Sequence, residues 1–216
     1  MQLTGKSMPI SYEGREILYH YQSCKDWTHP YLYQGEGNEN LSTSGCGIFA
    51  LCHAVEWLSD LRLNPDEMAD FSMENGGRGD DGTDRPALLH ALMATGKARE
   101  MGFEYHEDGL RNDLDTLFTH LYENKGVAFC NLRRGHIVAL IGARIVEGQK
   151  QLLAIDSVAE SINVSVRKHI SEVIPQSETY RAYVNESGVY LGESKQFAMF
   201  WVDAALPVDF NLLHRI

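Results

Sequence analysis

Several features that mark specialised proteins are missing from this 216-residue sequence. It has no run of about 18 apolar residues, as a membrane-spanning helix needs, and no apolar segment after a basic start, as a secretion signal needs. We therefore expect no membrane association and a cytoplasmic location. Basic residues are few, with 19 Lys and Arg against 30 Asp and Glu. The resulting net charge of −11 leaves no basic face for nucleic acid, so we expect no such partner.

Cysteine is also scarce, and its spacing excludes the usual zinc and disulfide patterns. No CxxC pair occurs, and the separations do not match a zinc knuckle. The four cysteines are Cys24, Cys46, Cys52 and Cys130. We expect free thiols in a reducing compartment, with neither a metal nor another cofactor. Asp80, Asp81 and Asp84 in the turn-rich segment 75–84 do not have the spacing of an EF-hand, so we interpret that segment as a solvated loop.

What is present is the composition of an ordinary globular protein. Hydrophobic residues make up 44% of the chain and charged residues 23%. The length suits one domain, or one domain with a sizeable appendage, and is sufficient for a full hydrophobic core. No internal repeat and no low-complexity segment divides the chain. The acidity favours solubility first, and the attraction of cationic substrates second.

Helical patterns come first along the chain and strand patterns later. Apolar residues at steps of three and four, with cap signals, predict helices at 47–61, 65–74, 85–95 and 112–124. Alternating or continuous apolar runs predict strands at 17–22, 127–132, 137–145, 151–155, 162–166 and 197–202, with a turn at 186–188. Residues 1–15 are interpreted as an arm or an edge strand, and the tail beyond 207 is unassigned. This order favours an α+β fold over a βαβ series.

One stretch combines a cysteine, two glycines and the start of a helix. Thr43-Ser44-Gly45-Cys46-Gly47 runs directly into the apolar periodicity of the first helix. A helix that begins here has Cys46 in its first turn, where backbone N–H groups and the helix dipole favour thiolate over thiol. The flanking glycines permit the close approach of another backbone or of a substrate. The pattern predicts a cysteine nucleophile; the plainer alternative is a small buried residue at a tight helix start.

A cysteine nucleophile needs a base, and one of the nine histidines stands out. Gly135-His136 opens a predicted strand, so the imidazole lies at a strand end beside a flexible glycine. Asp156 closes the next strand, and in an antiparallel hairpin the start of one strand neighbours the end of the next. We therefore predict that Asp156 contacts and orients His136. Asn163 and Asp203 are the alternatives to Asp156.

The ordered set of these motifs resembles the papain-like cysteine peptidases and, within them, the C39-like branch. The shared features are Ser-Gly-Cys-Gly before an apolar helix, Gly-His at a strand start, and Asp after the following strand. A Gln followed by a Trp ahead of the cysteine is similar as well, here Gln22 and Trp27. The resemblance covers about residues 15–157. The family often has Asp-Pro where this chain has Asp156-Ser157.

The resemblance implies a single papain-like domain over residues 1–216, in which the helix of the nucleophile packs on a C-terminal antiparallel sheet. Residues 158–216 exceed the minimal domain, and they would extend the sheet or cover the cleft. The implied site consists of the nucleophile, the base and acid, the orienting carboxylate and an oxyanion donor that acts with the cysteine N–H: Cys46, His136, Asp156 and Gln22. Gln34 and Asn40 are the alternatives for that donor.

The function that follows is a cysteine peptidase or a related amide hydrolase. It would form an acyl-enzyme with a peptide or with another amide or thioester. One alternative is an acyl or amide transferase on the same triad, in which an amine replaces water. Another is a non-catalytic binding domain that keeps the scaffold. The sequence carries no readable code for the substrate and no indication of the oligomeric state.

Overall fold

The structure, a computed structural model, describes residues 5–106, 113–133, 135–158, 166, 168–174, 176, 182–184, 190–192 and 198–216. Its six helices within these residues are α1 (Leu41–Ser44), α2 (Cys46–Ser59), α3 (Pro65–Glu74), α4 (Arg85–Ala94), α5 (Lys97–Glu100) and α6 (Leu114–Tyr122). The strands of the first half are β1 (Ser7–Tyr12), β2 (Arg15–His20), β3 (Arg78–Gly79), β4 (Gly82–Thr83) and β5 (Phe103–Glu104). Those of the second half are β6 (Val127–Arg133), β7 (His136–Val146), β8 (Gln149–Ile155), β9 (Ile170–Val173), β10 (Ala182–Val184), β11 (Tyr190–Gly192), β12 (Met199–Asp203) and β13 (Asp209–Arg215).

Seven strands form one antiparallel sheet in the order β5-β13-β6-β7-β8-β12-β9. β7 lies at its centre, between β6 and β8. Three of the seven strands, β9, β12 and β13, come from residues 158–216, so this segment extends the sheet on both sides of its centre. The remaining strands form three separate pairs, β1-β2, β3-β4 and β10-β11.

The central strands lie between two apolar cores, because successive side chains of a strand point to opposite faces. On β7, Ile137, Ala139 and Ile141 belong to the core that includes α2, whereas Val138 and Leu140 belong to the core that includes α6. α2 packs on β7 and β6, and α6 packs on β6, β7, β8 and β13. Helices and one large antiparallel sheet thus give an α+β architecture, but α6 lies on the face of the sheet opposite α2.

The predicted helices agree with the observed ones to within a few residues. The predicted end of the first helix at 61 is two residues too late, because Asp60 adopts a left-handed φ of 62° and its N–H bonds the Glu56 carbonyl. α6 begins after Asp113, whose carboxylate accepts the N–H groups of Asp115 and Thr116. The predicted start of this helix at 112 lies outside the described residues. None of the helices in the described ranges combines the length and the apolar character that a membrane crossing needs.

The edges of the fold differ most from the sequence predictions. β2 begins at Arg15, two residues before the predicted start, because it pairs along its length with β1. The unassigned tail forms β13, which inserts between β5 and β6. The segment 75–84 contains the short β3-β4 hairpin where a plain loop was expected. The turn predicted at 186–188 lies outside the described residues, as does the strand predicted at 162–166 apart from Val166.

Candidate active site

Cys46 is the first residue of α2, and its thiol is half-buried. α1 ends at Ser44, and the one residue between the two helices, Gly45, is both the C-cap of α1 and the N-cap of α2. Asn40 starts this unit with a capping box: its side chain accepts the Thr43 N–H at 3.2 Å, and the Thr43 hydroxyl oxygen accepts the Asn40 N–H at 3.0 Å. The sulfur therefore lies at the positive end of a 14-residue helix, as the sequence predicts.

The two glycines beside Cys46 are required by close contacts. A Cβ at Gly45 would lie 2.4 Å from the Leu41 carbonyl oxygen. A Cβ at Gly47 would lie 2.4 Å from the hydroxyl oxygen of Thr83. The expectation that these glycines permit close approach is confirmed, and the neighbour that approaches at Gly47 is β4 of the same chain.

His136 and Asp156 form a buried hydrogen-bonded pair. His136 Nε2 lies 2.7 Å from Asp156 Oδ1, and both side chains are less than a tenth exposed. The same carboxylate oxygen accepts the Val158 N–H at 2.8 Å. The backbone of Asp156 is held as well, because its N–H donates to the Ala198 carbonyl at 3.0 Å and its carbonyl accepts the Tyr19 hydroxyl at 2.7 Å. The contact predicted from the β7-β8 hairpin is therefore confirmed.

The surroundings of Cys46 favour thiolate over thiol. Burial raises the pKa of the Cys46 thiol, but the hydrogen bond and charge of His136 and the N–H of Ile137 outweigh it, so the pKa is lowered. Burial lowers the pKa of His136, whereas the charge and hydrogen bond of Asp156, together with Cys46, raise it to about 10. Because Asp156 occupies Nε2, Nδ1 is the ring nitrogen left for the sulfur. Both shifts favour a thiolate beside an imidazolium.

Gln22 lies beside the residue that follows Asp156. Its N–H donates to the Ser157 carbonyl at 2.9 Å, and the Ser157 hydroxyl donates to Gln22 Oε1 at 3.1 Å. The two side chains are 5% and 2% exposed, so the contact is shielded from water. Gln22 is thus attached to the Asp156 segment, with its Nε2 as the end of the amide that can donate elsewhere.

The alternatives to Gln22 are placed differently. Gln34 is exposed, in a turn where its φ is 53°. Asn40 is engaged as the cap of α1, and its Oδ1 also accepts the Ser42 hydroxyl at 2.7 Å. Gln22 is therefore the only one of these three side chains that the structure ties to the segment of Asp156.

Of the two alternatives to Asp156, Asp203 lies within the described residues, and it is not at His136. Asp203 pairs with Gln151, at the opposite end of β8 from Asp156, and its carboxylate accepts the Ala205 N–H at 2.9 Å. The fallback role considered for Asp203 is therefore wrong. Asn163 lies outside the described residues.

A cleft of about 680 Å³ opens at Cys46. Among the described residues, its walls carry four carboxylates, from the β3-β4 turn, the start of α4 and the start of β13: Asp80, Asp81, Asp84 and Asp209. Arg85 also lines the cleft and is buried; its guanidinium donates to the Phe129 carbonyl at 2.7 Å and pairs with Asp209. The volume falls in the range of about 300–1,000 Å³ that is usual for ligand sites.

The β3-β4 wall of the cleft is fixed by buried hydrogen bonds. The Arg78 guanidinium donates to the carbonyls of Tyr31 and Gly82, each at 3.0 Å. The Tyr31 hydroxyl bonds the hydroxyls of Thr83 at 2.8 Å and Ser72 at 2.9 Å. The wall is therefore held in place by side chains from both the 23–40 segment and α3.

Two residues of the site, Asp209 and Ser157, were not predicted from the sequence. Asp209 belongs to the unassigned tail, and only the pairing of β13 with β6 brings it to the cleft. Ser157 has no motif of its own. Its contact with Gln22 joins residues far apart in the sequence, so no local signal could have found it.

A second cavity, of about 540 Å³, is lined by three histidines. It contains His106, His120 and His214. His120 Nε2 lies 3.1 Å from each of the carbonyl oxygens of Val127 and Leu213, so its ring joins α6 to the sheet. Within the described residues, no group of three His, Cys, Asp or Glu side chains has the arrangement of a metal site.

Comparison of this chain with protein-family models, with curated proteins and with solved structures gave no match.

Proposed function

We propose that this protein is a cysteine peptidase or a related amide hydrolase with Cys46 as its nucleophile, on a papain-like fold. The observation that supports the proposal best is the continuous contact from Cys46 through His136 to Asp156, at the start of a helix and at the mouth of a cleft. An imidazole held between a thiol and a buried carboxylate is what nucleophilic catalysis by cysteine requires.

In the proposed reaction, the Cys46 thiolate attacks the carbonyl carbon of an amide or thioester. The carbonyl electrons move to oxygen, and Gln22 Nε2 and the Cys46 N–H donate to this oxyanion; one such donor contributes about 3 kcal/mol. His136 gives its proton to the leaving nitrogen or sulfur as the bond to carbon breaks. A water molecule then loses a proton to His136 and attacks the thioester, which releases the acid and restores the thiolate.

Hydrolysis is proposed ahead of the other two functions for specific reasons. An acyl transferase would gain from a cleft shielded from water, but Asp209 is the single described residue of 158–216 that lines this cleft. A binding domain would need no lowered thiol pKa, yet the pKa of Cys46 is lowered despite burial. The four carboxylates of the cleft do not distinguish between a hydrolase, a transferase and a binding domain.

The test is the pH dependence of Cys46 alkylation by iodoacetamide in the parent and in His136→Ala. We expect rapid modification near pH 6 in the parent, because His136 lowers the pKa of the thiol. Without His136, burial raises the pKa, so the reaction in the variant is expected to be slow below about pH 8, the range of an ordinary thiol. Peptide mapping separates Cys46 from half-buried Cys24.

Buried Cys52 and Cys130 serve as internal controls, because burial raises the pKa of both thiols. They should stay unmodified while the protein is folded. Equal and slow alkylation of Cys46 in parent and variant would contradict the proposal and favour the binding domain.

A further inference from the structure

We propose that Ser157 is a positioning residue that sets the orientation of the Gln22 amide toward the oxyanion. This inference rests on the proposed function, because it concerns the oxyanion donor of the same site. Ser157 directly follows Asp156, and its hydroxyl group contacts the Gln22 side chain.

Two hydrogen bonds join the residues. The Gln22 N–H donates to the Ser157 carbonyl at 2.9 Å, which fixes the two backbones side by side. The Ser157 hydroxyl then donates to Gln22 Oε1 at 3.1 Å. Both side chains are buried, so water competes little for either partner.

The hydroxyl contact matters because the two ends of an amide have opposite roles in hydrogen bonding. Oε1 accepts only and Nε2 donates only, although the two atoms are similar in size. With Oε1 held by Ser157, Nε2 is the end left for an oxyanion. A reversed amide would direct Oε1 at the developing negative charge, and the two oxygens would repel each other.

The dipeptide Asp156-Ser157 thus orients two partners of the nucleophile at once. Asp156 holds the imidazole of His136 by its carboxylate, and Ser157 holds Gln22 by its hydroxyl. The two functions use different atoms, so a substitution of Ser157 that keeps the backbone should leave the thiolate–imidazolium pair unchanged.

Two reactions of Cys46 separate these functions. With iodoacetamide, the thiolate attacks a saturated carbon: the C–S bond forms, iodide leaves, and no oxyanion arises. p-Nitrophenyl acetate is attacked at its carbonyl: an oxyanion forms, p-nitrophenolate leaves, and the acetyl group remains on sulfur as a thioester. The ratio of the acylation rate to the alkylation rate therefore reports on the oxyanion donor alone.

The experiment compares the parent with Ser157→Ala, Ser157→Thr and Gln22→Ala, all on a Cys24→Ser background. The loss of a donor typically costs about 10²–10³ in rate, so Gln22→Ala should lower the ratio by about a hundredfold and Ser157→Ala by roughly tenfold. Ser157→Thr retains the hydroxyl and should keep the parent ratio. The double variant, with Gln22→Ala and Ser157→Ala together, should be no slower than Gln22→Ala alone. Both changes remove the same contribution, the stabilisation of the oxyanion by the Gln22 amide.

An unchanged ratio in Ser157→Ala would overturn the inference. Equal losses in both reactions would also overturn it, since Ser157 would then act through Asp156 or through the fold. Slow alkylation of the parent itself is a separate result: it would remove the proposed function, and the role of Ser157 with it.

Discussion

The carboxylate of Asp156 decides which charges the site carries. Burial alone lowers the pKa of His136, and Asp156 is the main influence that reverses this and raises the pKa to about 10. Because the imidazolium in turn lowers the pKa of Cys46, the thiolate depends on a carboxylate that the sulfur need not touch.

Replacing Asp156 by Asn should therefore make the Cys46 thiol less reactive, although Cys46 and His136 are both still present. Asp156→Asn keeps the shape of the side chain but loses its charge, so the pKa of His136 should fall, since burial then dominates. We expect the rate of Cys46 alkylation at pH 6 to drop at least about tenfold, because one pKa unit is a factor of ten in the protonation equilibrium.

Asp203→Asn is the matched control, because this carboxylate lies at the other end of β8 and is half exposed. It should alkylate like the parent. If both variants lost the same reactivity, Asp156 would be acting through the general field of the acidic chain and not through His136.

Single residues were predictable where strand geometry linked them. The contact of His136 with Asp156 follows from the order of two adjacent strands, and the structure has it at 2.7 Å. The bond of Ser157 to Gln22 joins residues 135 positions apart. No local pattern encodes such a contact, so the sequence identified Gln22 only through the resemblance.

Among the elements, α2 contacts β2 through two buried histidines, His53 of α2 and His20 of β2. The His20 N–H donates to His53 Nε2 at 2.9 Å, and the two rings stack with centroids 5.5 Å apart. The hydroxyl of Ser7 bonds His20 Nδ1 at 2.8 Å. Burial lowers the pKa of His20 to about 4, helped by the charge of Lys6, and it lowers the pKa of His53 as well.

This contact should make the fold sensitive to mild acid. In the unfolded chain a histidine has a pKa near 6.5. Between about pH 6.5 and 4 the unfolded state therefore binds more protons than the folded state. The free energy of unfolding should therefore fall as the pH falls through this window, by about 1.4 kcal/mol per pH unit for each such histidine.

Urea unfolding of the parent and of His20→Gln at several pH values tests this. Gln does not titrate, so the slope in the variant should be smaller by about one proton, while the two slopes should coincide above about pH 7. Parallel curves for parent and variant down to pH 4 would show that His20 is not the group responsible.

Helices were easier to predict than strand edges. Pro65 after Asn64, and the apolar periodicity that begins after Cys46, are local signals, and both helices begin there. The start of β2 depends on its partner β1, which the sequence left as an arm or an edge strand. Local chemistry therefore fixed the helix starts, whereas pairing fixed the strand limits.

At the scale of the whole molecule, β13 links the end of the described chain to its middle. Phe210 and Leu213 are fully buried, and β13 pairs with both β5 and β6. Its first residue, Asp209, pairs with Arg85 and accepts the Asn131 side-chain amide at 2.9 Å. A segment without a clear sequence signal thus completes the sheet and one wall of the cleft.

Deletion of residues 207–216 should abolish cooperative unfolding. Truncating one large buried side chain costs about 2–5 kcal/mol, and losing several exceeds the 5–15 kcal/mol that usually stabilises a domain. Urea unfolding followed by tryptophan fluorescence measures this. Removal of Ile216 alone, which is 56% exposed, is the control and should change stability little. A truncated chain with a sharp unfolding transition and rapid Cys46 alkylation would contradict the prediction.

The α+β class could be predicted because helices and strands are segregated along the chain. The sheet order could not, since β13 and β12 insert beside β6 and β8 from distant positions. The placement of α6 on the second face was not apparent either, because its apolar stripe shows only that one side is buried.

The pairing of β8 with β12 also has a consequence for the order in which the molecule matures during synthesis. Cys46, His136 and Asp156 have all been translated by residue 156, but the Asp156 N–H bonds the Ala198 carbonyl, and β6 lacks its β13 neighbour until residue 215. A growing chain therefore contains all three residues well before it contains the strands that hold them in place. Cys46 should therefore become reactive toward iodoacetamide only after β12 and β13 have been synthesised.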